Sequence, residues 1–139
     1  MERKLVIISI PAYNEEKTIA GVIQGIKKAM SLVNYEYKIL VVDDGSKDKT
    51  VEIAQENGAV TCSHPYNLGL AETFRTEMKI CLKLNADLII HTDADGQYPS
   101  RHIPGLIKKI EEGYDLVLGS RFGEGIYSGS LMKKLGNIA

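Results

Sequence analysis

Five short apolar runs punctuate the first 120 residues: Leu5–Ile10, Ile39–Val42, Ala59–Ser63, Leu88–Thr92 and Leu116–Ser120. Most are continuously apolar rather than alternating, the pattern of strands covered on both faces. Between them lie stretches with helical period. Ile19, Val22, Ile23, Ile26 and Met30 make a stripe on Glu15–Ser31, Phe74, Met78, Cys81 and Leu82 one on Leu70–Leu84, and Ile103, Leu106, Ile107 and Ile110 one on Ser100–Glu112. These stripes read as core-facing. Asn14 is the expected N-cap of the first helix, with Glu15 and Glu16 in its first turn. Ser46 or Asp48 caps the next, and Gly58 and Gly113 stop two helices. Strands alternating with helices imply right-handed βαβ units and an α/β fold with an open, mostly parallel sheet.

The chain has 139 residues, enough for one domain with one core. A net charge of −1 gives no electrostatic case for a nucleic-acid partner. Cys62 and Cys81 form no CxxC pair and read as reduced thiols. No apolar run reaches the ~18 residues of a membrane span. "MERKLVIISIPAYNEE" turns acidic too soon for a signal peptide, so a cytoplasmic location is expected, with attachment to a membrane surface left open. "SGSLMKKLGNIA" reads as the start of another helix, capped at Ser128 or Ser130, and the chain as the N-terminal part of a longer catalytic domain.

In open α/β sheets ligands bind beyond the carboxyl ends of the strands. "PAYNEE" follows the first strand, "DDGS" the second, "DADGQ" the fourth and "GSRF" the fifth. Asp93 and Asp95, one residue apart on a turn, can share a hard cation, with the Gln97 amide oxygen as a neutral ligand; Mg²⁺ or Mn²⁺ completes its shell with water and phosphate. Of Asp43 and Asp44, one can hold the turn through backbone N–H groups, while the other accepts from a nucleobase or ribose. Tyr13 can lie along a base, and Pro11 stiffens its loop. Arg121 is the natural partner of a diphosphate. The histidines share no metal-ligand spacing, and His91 reads as a hydrogen-bonded core residue.

Together "IPAYNEE", "VVDDGSKDKT", "NLG", "DADGQYP" and "GSRF", in this order, resemble the family 2 inverting glycosyltransferases of GT-A fold, and among them the polyprenyl-phosphate sugar transferases such as dolichol-phosphate mannose synthase. The resemblance runs from Leu5 to about Phe122. It implies that Pro11, Ala12, Tyr13 and Glu15 line a nucleotide pocket and that Asp43 and Asp44 hold base and ribose, with Asp44 the preferred base contact. Asp93, Ala94, Asp95 and Gln97 would form the metal and diphosphate site, and Arg121 would meet phosphate. Asp93, Asp95 and Arg121 would then stabilise the leaving group. The implied donor is a UDP- or GDP-linked sugar and the implied acceptor a polyprenyl or dolichyl phosphate. Such an acceptor is already anionic and needs no catalytic base.

Two departures stand out. The family carries a glycine- and alanine-rich segment after "NLG", where this chain has Glu72, Thr73 and Glu77. The family also extends past residue 139, which leaves Lys133 and Lys134 as the basic residues available here for a lipid phosphate. Two other readings remain open from the residues. "IIHTDADGQ" also resembles haloacid-dehalogenase-type phosphatases, and "ILVVDDG" the acidic pair of a phospho-receiver module.

Overall fold

The structure is a computed structural model, and it describes residues 3–120. Four strands, β1 (Leu5–Ala12), β2 (Glu36–Asp43), β3 (Val60–Ser63) and β4 (Leu88–His91), form one parallel sheet in the order β3-β2-β1-β4. The helices are α1 (Ile19–Met30), α2 (Thr50–Glu56), α3 (Leu70–Lys83) and α4 (Ile103–Glu111), the last preceded by a 3₁₀ turn at Ser100–His102. The expected α/β architecture is present.

The central strand β1 explains itself. Val6, Ile7, Ile8 and Ile10 are all fully buried, so both faces of the strand are covered. One face, through Val6, Ile8 and Ile10, joins α1 and α4 in the main core with Ile19, Ile23, Ile26 and Ile107. The other, through Ile7 with Leu40, Val42 and Cys81, makes a smaller core under α3.

Four local expectations are corrected. The segment Leu116–Ser120 is not one of the strands of the sheet among the described residues, and Leu116 and Leu118 are exposed. Continuous hydrophobicity carries no information about a pairing partner. Asn14 is not an N-cap. It sits at φ +52, with its N–H on Ser46 Oγ (2.8 Å) and its Oδ1 accepting from Lys47 N–H (2.9 Å), and α1 begins only at Ile19. Glu15 and Glu16 therefore precede the first helical turn. At α2, of the two expected residues Ser46 and Asp48, it is Asp48 that bonds the helix start, its Oδ1 accepting from Thr50 N–H (3.0 Å).

The fourth correction concerns α3. Its buried residues are Thr73, Glu77 and Cys81, whereas Phe74 and Leu82 of the expected stripe are 45% and 71% exposed. The helix thus turns a partly polar face to the sheet. Gly58 and Gly113 do stop their helices, at φ +87 and +105.

Candidate functional site

Because all four strands are parallel, their carboxyl ends share one edge of the sheet. Ala12 is in register with Asp43, and Ser9 with His91. Asp43 and Asp93 therefore lie on either side of the end of β1, two strand spacings or about 10 Å apart along the edge.

At the end of β2 the two carboxylates divide their work. Asp43 binds its own turn, with both oxygens 3.2 Å from Ser46 N. It also lines a depression of ≈ 760 Å³ together with Tyr13, Gly45, Ser46, His64, Tyr66 and Asn67. Asp44 points elsewhere. It is 5% exposed, and its oxygens accept from Leu68 N–H (2.9 Å), Gly69 N–H (2.9 Å) and His64 Nδ1 (2.8 Å). Burial pushes the Asp44 carboxyl up, but the His64 bond and the two backbone N–H groups outweigh it, and its pKa falls below 3.8. With three donors already on it, Asp44 is committed to holding the 64–69 loop. The pocket-facing acid of the pair is Asp43, whereas Asp44, the expected base contact, does not line the depression.

Gly45 makes this junction possible. It lies at φ +78, and a Cβ there would come within 2.6 Å of the Tyr66 backbone. The close approach brings Tyr66 over the turn, so Tyr13 and Tyr66, 44% and 65% exposed, offer two rings to one depression. His64 and Tyr66 lie in the loop after β3, whose sequence carries no carboxylate to mark it, although the same topological rule points to it.

The remaining expected residues of the first loop are placed less favourably. Ala12 is buried and ends β1, and Pro11 is half-buried within that strand. Glu15 gives its N–H to Thr50 Oγ1 (2.8 Å) and accepts the Thr18 hydroxyl (3.0 Å). Neither Pro11, Ala12 nor Glu15 lines the depression.

At the end of β4, Ala94 is buried in the main core, with half-buried Asp93 and exposed Asp95 on either side of it. Asp95 Oδ1 accepts from Gln97 N–H (2.9 Å), which closes the turn. Asp95 lines a second depression with Lys17, Thr18, Gly21, Tyr98 and Arg101, between α1 and the 95–101 loop. Neither depression is lined by both Asp43 and Asp95. Among the described residues no three His, Cys, Asp or Glu side chains form a metal cluster. The donor set Asp93, Asp95 and Gln97 is all oxygen, with two carboxylates. It fits a hard cation that takes most of its ligands from water and phosphate rather than from a closed protein cage. Arg121 lies outside the described residues, as do Lys133 and Lys134 and the expected helix past Gly129.

His91, the last residue of β4, places Nδ1 3.1 Å from Glu77 Oε2, an ion-pair contact whose angle falls outside hydrogen-bond geometry. The Glu77 contact raises the His91 pKa above 6.5 against the opposing effect of burial, and the charges of Glu77 and Asp93 add to the rise. Burial, with the charge of Glu77, drives the Cys81 thiol up to about 11, so Cys81 is an inert core thiol. Both cysteines are free.

Comparison with known proteins bears on the family and the fold. The profile of Glycosyl transferase family 2 matches residues 7–136. An uncharacterized protein of Methanocaldococcus jannaschii is 38% identical over 137 residues, covering 96% of this chain and 54% of that protein. The undecaprenyl-phosphate 4-deoxy-4-formamido-L-arabinose transferase of Photorhabdus laumondii is 36% identical over 117 residues, covering 82% of this chain and 36% of that enzyme. The chain thus spans about half or less of the length of these relatives. Among solved structures, mannosyl-3-phosphoglycerate synthase from Rubrobacter xylanophilus superposes with a TM-score of 0.67 at 22% identity, over 80% of this chain and 37% of that one, and bears on the fold alone. Glucosyl-3-phosphoglycerate synthase from Mycobacterium tuberculosis, in complex with UDP, gives a TM-score of 0.62 at 26% identity, over 80% of this chain and 41% of that one. The same enzyme in complex with Mn²⁺, UDP and glucosyl-3-phosphoglycerate gives 0.59 at 25%, over 78% and 39%. These matches set aside the phosphatase and phospho-receiver readings: the chain belongs to glycosyl transferase family 2 and has the GT-A-like α/β fold of its structural neighbours.

Proposed function

We propose that this chain is the nucleotide-binding part of a longer catalytic domain that moves a sugar from a nucleoside diphosphate to an acceptor, with inversion at the anomeric carbon. The observation that carries the reading is the Tyr13–Asp43–Tyr66 depression beside the Asp93–Asp95 turn, on one edge of the sheet. The base stacks against the tyrosine rings and donates a ring N–H to Asp43. The diphosphate crosses the end of β1 toward Asp93 and Asp95. The separation of about 10 Å between the two acidic ends suits an extended ligand that spans both depressions, rather than a small one that fits within either.

Asp93, Asp95 and Gln97 would hold a divalent cation, Mg²⁺ or Mn²⁺, which when bound would supply positive charge against the charge that develops on the departing diphosphate. Arg121 adds a guanidinium to the same phosphates. UDP is the first nucleotide to test, because a solved neighbour holds UDP together with Mn²⁺. A polyprenyl phosphate is the favoured acceptor, since a relative at 36% identity is an undecaprenyl-phosphate transferase. That acceptor places the work at the cytoplasmic surface of a membrane, to which a longer protein brings the domain. No helix among the described residues is long and apolar enough to cross one. A small phosphorylated acceptor is the second reading, because another solved neighbour is a complex with phosphoglyceric acid. Calorimetry with UDP and with GDP, with and without Mn²⁺, tests the donor half. One nucleotide binds, and Mn²⁺ strengthens it; absence of binding by both refutes the reading.

A further inference from the structure

Glu77 is the most unusual side chain on the α3 side of the sheet. It is fully buried, and neither carboxylate oxygen has an aligned hydrogen-bond donor. A buried carboxylate is costly unless paired. The one side chain in ion-pair reach of it among the described residues is His91, with Nδ1 3.1 Å from Glu77 Oε2. The His91 ring also makes a T-shaped contact with Phe74, with centroids 5.4 Å apart and planes at 79°. Phe74 and Glu77 are three residues apart on α3, so one helix face supplies both contacts to the ring.

What the ring is attached to gives these contacts their consequence. β4 has four residues and pairs only with β1 among the described strands. The last bond of that pairing runs from Thr92 N–H to Ser9 O (3.1 Å). Beyond it the chain passes through Asp93 to Ala94, which is anchored in the opposite core, under α1. Asp93 therefore hangs between two anchors, His91 on the α3 side and Ala94 on the α1 side. A short edge strand has few other means of fixing its end.

We infer that Glu77 and Phe74 are positioning residues: through the His91 ring they hold the end of β4 so that Asp93 and Asp95 are presented together to the diphosphate. This rests on the reading of those aspartates under the proposed function. The test uses Glu77→Leu, Phe74→Ala and Glu77→Gln in the full chain. One readout is ligand-free hydrogen exchange at the Thr92 and Gln97 amides, both hydrogen-bonded here. The other is UDP affinity with and without Mn²⁺. Glu77→Leu and Phe74→Ala each speed exchange at the two amides about tenfold and cut the Mn²⁺-dependent gain in UDP affinity about tenfold, the lower end for groups that orient a metal's ligands. Affinity for UDP alone stays within about twofold. Glu77→Gln, which keeps an oxygen for His91, recovers most of both. Phe74 is half exposed, so its variant folds even where Glu77→Leu does not. Exchange within about twofold of the parent after correction for global stability overturns the inference, as does an equal fall in affinity with and without Mn²⁺. A parent protein that binds no nucleotide refutes the proposed function instead, and the exchange data then decide the positioning role alone.

Discussion

Replacing Asp44 with Asn tests the division of labour at the end of β2. In the parent, Oδ1 accepts from His64 Nδ1 and Leu68 N–H, and Oδ2 accepts from Gly69 N–H. An asparagine oxygen placed at the Oδ1 position keeps the first two bonds but makes them neutral, at a cost of about 0.5–1.5 kcal/mol each. The asparagine NH₂ then faces the Gly69 N–H, donor against donor, and leaving that buried group unpaired costs about 1–3 kcal/mol. The sum is roughly 2–6 kcal/mol, a large share of the ~5–15 kcal/mol that a small domain has. With a urea m-value of about 2 kcal/mol/M, the unfolding midpoint drops by about 1–3 M at an unchanged m. Nucleotide affinity falls as well, because the bonds that seat Leu68 and Gly69 also fix Tyr66 and Asn67 at the depression. A midpoint shift below about 0.3 M refutes the claim that Asp44 is the internal tie of the pair.

Three other outcomes follow from the same geometry. Gly45→Ala, forced to φ +78 against the Tyr66 backbone, unfolds at lower urea by at least about 2 kcal/mol and loses nucleotide binding with it. In acid, the folded-state pKa of Asp44 lies below its unfolded value of 3.8, so the unfolded chain binds more protons between the two. The stabilisation from Asp44 is complete above about pH 5, fades as pH falls through the folded value, and is missing from acid titrations of Asp44→Asn. Asp43→Asn and Asp95→Asn separate in calorimetry: the first weakens UDP with or without Mn²⁺ by tenfold or more, while the second removes mainly the Mn²⁺-dependent gain.

The parts of this fold that sequence revealed are those set by local pattern and topology. Continuous apolar runs located β1 to β4 because a strand buried on both faces has no polar positions to spare. The rule that ligands gather beyond strand carboxyl ends then points to Tyr13, Asp43, Asp44, Asp93 and Asp95, all of which the fold places at that end of the sheet. The parts it hid depend on contacts distant in sequence. The rotation of α3 is one case: Phe74, Met78, Cys81 and Leu82 make the better apolar stripe, yet Thr73 and Glu77 face inward. Asp44 binds the helix entrance 24 and 25 residues away, and His91 meets Glu77 from another element. The type and position of Asn14 suit a cap, but its bonds go to residues 32 and 33 places on. Asp43 and Asp44 are adjacent and chemically identical, so only the packing of the 64–69 loop tells them apart.

The central claim is that the acids at the ends of β2 and β4 serve one ligand, although they line separate depressions. An amide NMR titration with UDP and Mg²⁺ tests it directly. Amides at 43–46 and 66–67 are expected to shift together with those at 93–97, along one saturation curve. If one group moves while the other stays still, or the two saturate at different concentrations, the acids do not share a ligand and the account is wrong.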